Sequence, residues 1–190
     1  MIVFSFCFDV MRVVFVWLWV FVLMGCAGSG RESGGLPGLM VERLSWMDEV
    51  AMVKLAKDLP VEDAAREAAL LEAMAVLGAE MGLPSAAVRG FFAGQILAAK
   101  VCQEEWLRTR SSDAVASLAL PDLPDLPGTV RPALDAIGKR MLVALVEVRN
   151  SGQSLEVIRN CRERLVREGF SEQVIEAAME GLEVGLGEAS

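Results

Sequence analysis

A chain of 190 residues carrying a net charge of −8 has no basic surface on which to spread nucleic-acid phosphates, and it is long enough to bury a real core. It contains no histidine, which removes the usual general base, the imidazole-built nucleophilic triads and most zinc sites. Any chemistry here must work without an imidazole proton shuttle, and a group of convergent cations stands out against the acidic background.

Residues 1–26 read as a leader. Val13 to Met24, VVFVWLWVFVLM, is an unbroken apolar run preceded by Arg12, the basic-then-apolar order of a secretory signal. It is short for a membrane span. Met11-Arg12 makes a cleaner start than residues 1–10 with their Asp9. The run ends in Leu23-Met24-Gly25-Cys26, which resembles the lipobox of bacterial lipoproteins, with Cys26 as the acylated mature N-terminus. An ordinary signal peptide cut nearby and an uncleaved anchor are the alternatives. Each of these readings takes the mature chain out of the cytoplasm, and the lipoprotein reading makes it periplasmic. Residues 27–36, AGSGRESGGL, read as a flexible tether.

Helical spacing begins at Pro37. Leu39, Met40, Leu44, Met47, Val50, Ala51 and Leu55 recur every three or four residues and predict one helix ending before Pro60. Arg43 and Lys54 lie eleven residues apart, which returns a side chain to within roughly 20° of its start and puts both on one face. A second helix opens at Glu62-Asp63 and runs to Gly82, with acids at the positive end of its dipole. Asp63, Arg66 and Glu67 fall at spacings that group them on one side. Ala64, Ala65, Ala68 and Ala69 are read as small residues that let helices pack closely around that group. A third helix starts near Pro84-Ser85 and carries Val88, Phe91, Phe92, Ile96 and Val101 toward Trp106.

Residues 111–128 interrupt the pattern. Leu120 to Pro127, LPDLPDLP, has three prolines and is expected to run extended over the surface. A second helical group follows at 129–190, in three helices: Thr129–Arg149, Ser154–Glu168, and a last one capped by Ser171, with Phe170 stapled against Ile175. The fold class is all-α, about six helices in two lobes, with residues 37–110 as the first lobe. Cys102 and Cys161 sit in apolar helical settings and read as small buried hydrophobes. Trp46 and Trp106 read as core or interface aromatics, and Arg140 as one half of an ion pair between lobes.

The stretches ERLSWMDEVAMVKLAKDLPVEDAARE (42–67) and FFAGQILAAKVCQ (91–103) resemble the all-helical chorismate mutases, the secreted, periplasmic subclass above all. The resemblance covers about residues 37–149. It implies a Claisen-type [3,3] rearrangement of chorismate to prephenate that needs no metal or cofactor, and a homodimer. It also implies roles by motif position. Arg43 resembles the first-helix arginine that binds a substrate carboxylate, and Lys54 the lysine that reaches the ether oxygen and a carboxylate. Asp63 and Arg66 match the Asp-x-x-Arg at the head of the second helix, and Glu67 follows where some members use a glutamate for the substrate hydroxyl. Gln103 stands where the family has Gln or Glu donating to the ether oxygen. Arg131 resembles the secreted subclass's second carboxylate-binding arginine, supplied by the same chain. Ala99 departs from the family's Ser or Thr near a carboxylate, a loss of about 0.5–1.5 kcal/mol of hydrogen bonding. Membrane contact is expected only through the leader or lipid anchor. Two rival readings use the same residues: isochorismate pyruvate-lyase-like elimination, and a non-catalytic helical lipoprotein binding small dicarboxylates or a protein partner.

Overall fold

The computed structural model describes residues 34–109 and 123–187. The leader, with Cys26, and most of the proline-rich link lie outside the described residues. Residues 33–190 form one compact unit. Among the described residues every regular element is helical, and no helix is long and apolar enough to cross a membrane.

The first predicted helix is two. Helix α1 spans Gly35–Ser45 and α2 spans Met47–Ala56. Trp46 between them stays in a right-handed helical conformation, but its N–H turns back to the Arg43 carbonyl, three residues away, at 3.4 Å. That tightened turn shifts the register, so Arg43 and Lys54 sit on successive helices rather than on one. Helix α1 buries Leu36, Leu39, Met40 and Leu44, and α2 buries Met47, Val50 and Val53, so the three- and four-residue spacing does find the core.

Helix α3, Ala64–Glu80, begins two residues after the expected Glu62 because Asp63 is its N-cap: the carboxylate accepts the Arg66 N–H at 3.1 Å. This satisfies one of the donors that a helix start leaves without an intrahelical partner. The alanines of its first turns do not pack against the site. Ala64, Ala65, Ala68 and Ala69 are all exposed. The inward face of α3 is set by Met74, Ala75 and Gly78, and rotation about the axis leaves those alanines on the water side.

Helix α4, Ser85–Thr109, runs through the middle of the fold. Phe91 and Phe92 are fully buried and meet edge to face, centroids 5.0 Å apart at 81°. Burial of each contributes about 1.5–3 kcal/mol. Trp106, 7 % exposed, packs in a smaller cluster with Ala51.

Leu126–Val130 departs from the extended course predicted for the proline-rich link. It is a π-helical turn with Pro127 in its first positions, where a missing N–H removes no ladder bond. Thr129 and Val130 both donate to the Asp125 carbonyl, at 2.9 and 3.0 Å. Leu126 and Val130 are buried, which ties the turn to the core.

The turn feeds directly into α5, Arg131–Ser151, followed by α6, Ser154–Arg167, and α7, Glu172–Leu186. Ser171 caps α7 by accepting the Val174 N–H. The two helical groups close over one core that includes Met40, Phe92, Met141, Leu145 and Leu182. Helices α4 and α7 make the most extensive pairing, and it depends on glycine: a Cβ at Gly94 would lie 2.5 Å from the Gly181 Cα. Arg140 of α5 donates to Glu42 of α1 at 3.0 Å, an exposed pair joining the two groups. Cys102 and Cys161 are free. Burial pushes both thiols up to about 12, so neither is a ready nucleophile.

Candidate active site

One cavity gathers every site residue that the sequence pointed to within the described region. Its open space is about 120 Å³. Arg43 of α1 and Lys54 of α2 line one wall, and Ala99 and Gln103 of α4 another. The head of α3 adds Asp63, Arg66 and Glu67, and the start of α5 adds Arg131. Two charged residues escaped the sequence reading, Lys100 and Asp135. Both had a spacing signal: Lys100 lies three residues before Gln103, and Asp135 four after Arg131, so each shares a helix face with a residue already chosen.

The charged groups fall into two kinds. Along the α3–α5 seam they are paired. Arg66 donates to Asp135, and Arg131 donates to Asp63 at 3.2 Å. On α3 the order is acid then arginine, and on α5 it is arginine then acid, so the two helix starts are complementary. These side chains are 36–42 % exposed, and each pair contributes at most about 1 kcal/mol. Glu67 is held at both oxygens: Oε1 accepts the Asp63 backbone N–H at 3.2 Å and Oε2 accepts Lys100 Nζ at 3.2 Å.

Arg43 is the other kind. It is 4 % exposed, its Nε has no hydrogen-bond partner, and no described carboxylate forms an ion pair with it. Burial lowers its pKa to about 10, partly offset by the charge of Asp135. It remains a cation at neutral pH, facing the cavity without a direct counter-ion. Lys54 donates one hydrogen to the Val61 carbonyl, which leaves two of its three donors for the cavity. Burial lowers its pKa as well, against the opposing pull of Asp63 and Glu67. Gln103, also 4 % exposed, donates from Nε2 to the Ala99 carbonyl at 3.0 Å, and its second donor contact is to Met47 Sδ at 3.7 Å. A sulfur acceptor is weak, so an oxygen entering the cavity displaces it.

Five cations (Arg43, Lys54, Arg66, Lys100 and Arg131) and three carboxylates (Asp63, Glu67 and Asp135) line the space. The surplus is two positive charges, which suits a small dianion.

Residues 36–104 match the family model described as chorismate mutase type II. This segment is a chorismate mutase type II domain. It contains nearly all of α1, all of α2 and α3 and most of α4, and therefore all of the site except what the π-turn and α5 supply. Three solved structures extend the likeness over the second helical group. The chorismate mutase from Burkholderia thailandensis is 26 % identical, with 80 % of this chain and 95 % of that one aligned at a TM-score of 0.60. The chorismate mutase from Burkholderia phymatum is 22 % identical over 81 % and 93 %, at 0.63. The secreted chorismate mutase from Yersinia pestis is 21 % identical over 78 % and 94 %, at 0.65. No curated protein matches the chain in sequence. The matched segment is thus of the chorismate mutase type, an isomerase family, and the all-α fold is shared with these three structures.

Proposed function

We propose that this cavity converts chorismate to prephenate by a [3,3] rearrangement driven by charge placement alone, with Arg43 and Arg131 on the two substrate carboxylates. The observation that carries the reading is Arg43, a cation 4 % exposed in the cavity wall with an unpartnered Nε. A buried charge without a counter-ion is costly, and a bound carboxylate supplies that counter-ion.

The chemistry fits the residues present. In the rearrangement one C–O bond breaks while one C–C bond forms, in a single cyclic step, and no proton moves. What accelerates it is holding the compact conformer and meeting negative charge that grows on the ether oxygen. Lys54 and Gln103 take that second task, since each retains a donor that a cavity oxygen can use. Arg66 supports the anion site through Asp135, and Asp63 and Glu67 orient the neighbouring cations or the ring hydroxyl. Ala99 contributes wall but no donor.

The leader supports export, with acylation at Cys26 and a periplasmic location for the domain, and the resemblance supports a homodimer. A Cys26→Ser variant should move the protein from the membrane fraction to the soluble fraction. The function itself is tested on residues 33–190, which form a compact unit, mixed with chorismate. Prephenate should form, and Lys54→Ala should cut kcat by roughly 10²–10³-fold, as loss of one donor to developing charge does elsewhere. Near-normal turnover in that variant would contradict the assignment of Lys54, and no prephenate from the unaltered protein would sink the reading.

A further inference from the structure

We propose that Lys100 is a further substrate ligand of this site, a cation for a substrate carboxylate that Glu67 holds in place. The inference rests on the chorismate reading above and adds a contact to it.

Lys100 lies on α4 beside Ala99 and one turn before Gln103, and all three line the cavity. Lys100 and Glu67 are 25 % and 22 % exposed, less than any other ion pair among the described residues. An ordinary surface pair has no reason to sit there, because desolvating two charges costs more than a screened attraction returns. Glu67 has its own anchor, the Asp63 N–H at the cap of α3. It therefore fixes the ammonium from the rigid end of a helix, and only one of the three ammonium hydrogens is used in doing so. Beside it on this wall Ile96 and Ala99 offer no donor, and Gln103 offers an uncharged one, so Lys100 is the only cation that α4 brings to the cavity. Without Lys100 the cavity carries a surplus of one positive charge. With it the surplus is two, which matches a dicarboxylate.

Lys100 also acts on its neighbour. Its charge lowers the pKa of Lys54, as that of Arg131 does, while Asp63 and Glu67 raise it. Removing Lys100 should therefore leave Lys54 protonated to higher pH.

The test compares Lys100→Met and Lys100→Arg with the unaltered chain, using chorismate as substrate. Lys100→Met should raise KM by roughly 10- to 100-fold, the range of a hydrogen bond to a charged group, with kcat little changed. Its alkaline limb of kcat/KM should move upward. Lys100→Arg should restore KM. An unchanged KM in Lys100→Met would overturn the proposal, as would a loss of activity that Lys100→Arg does not rescue or that leaves the alkaline limb in place. If the unaltered chain forms prephenate and Lys54→Ala does not, a normal Lys100→Met refutes the role of Lys100 alone. If the unaltered chain forms none, the chorismate reading itself has failed.

Discussion

The two sides of the cavity answer the cost of charge in opposite ways. Where α3 meets α5, arginines and aspartates neutralise one another at the rim, half in water. Where α1 meets α4, Arg43 and Gln103 are buried with polar atoms unpartnered. The first side is a clamp that joins the two helical groups. Under the proposed function the second is preorganised for a ligand, with Arg43 Nε free to donate and Gln103 Oε1 free to accept. The difference separates charges already partnered within the fold, Arg131 among them, from a charge that only a ligand can partner.

Replacing Arg43 probes this contrast most sharply. Arg43→Met keeps a long apolar stem and removes an uncompensated buried charge. Turnover should fall by roughly 10²–10³-fold, while urea unfolding should show equal or greater stability, by up to about 1–4 kcal/mol. A variant both inactive and destabilised would place Arg43 with the structural clamp instead. The pH profile comes next. Under the proposed function Lys54 and Arg43 both work as cations, and burial lowers both pKa values, that of Arg43 to about 10. Lowered values mean that protons leave at lower pH than from free side chains. The rate should thus be flat through neutral pH and fall on the alkaline side, as Lys54, below its ordinary 10.5, and Arg43, at about 10, lose their protons. A steep rise toward acid would point to a carboxyl donor such as Glu67. The smallest effect belongs to Arg140→Gln, which breaks the exposed pair with Glu42. It should cost at most about 1 kcal/mol and leave kcat and KM unchanged.

Much of the site was legible because its residues carry opposite meanings in sequence and in water. Cations such as Arg43 and Lys54, in a chain without histidine, narrow the chemistry before any fold is known, although the turn at Trp46 puts them on two helices rather than one. The start of α7 followed from its cap: Ser171 stands where its chemistry requires. What sequence could not supply was rotation. Alanine fits a solvent face or a packed one equally well, so the alanines of α3 gave no signal of their exposure. Lys100 and Asp135 looked like ordinary helix charges until α3 was laid against α4 and α5. The π-turn at Leu126–Val130 was hidden because proline excludes only the interior of a helix, and Pro127 lies at an entrance.

One small contact has a wider consequence. Asp63 caps α3 through the Arg66 N–H and also pairs with Arg131 at the start of α5. Winding the first turn of α3 and bringing Arg131 to the cavity are therefore mechanically one event. A ligand that engages Arg131 acts on the same carboxylate that caps α3, so the backbone amide of Arg66 becomes a natural reporter. Its hydrogen-exchange rate should change as the cavity fills.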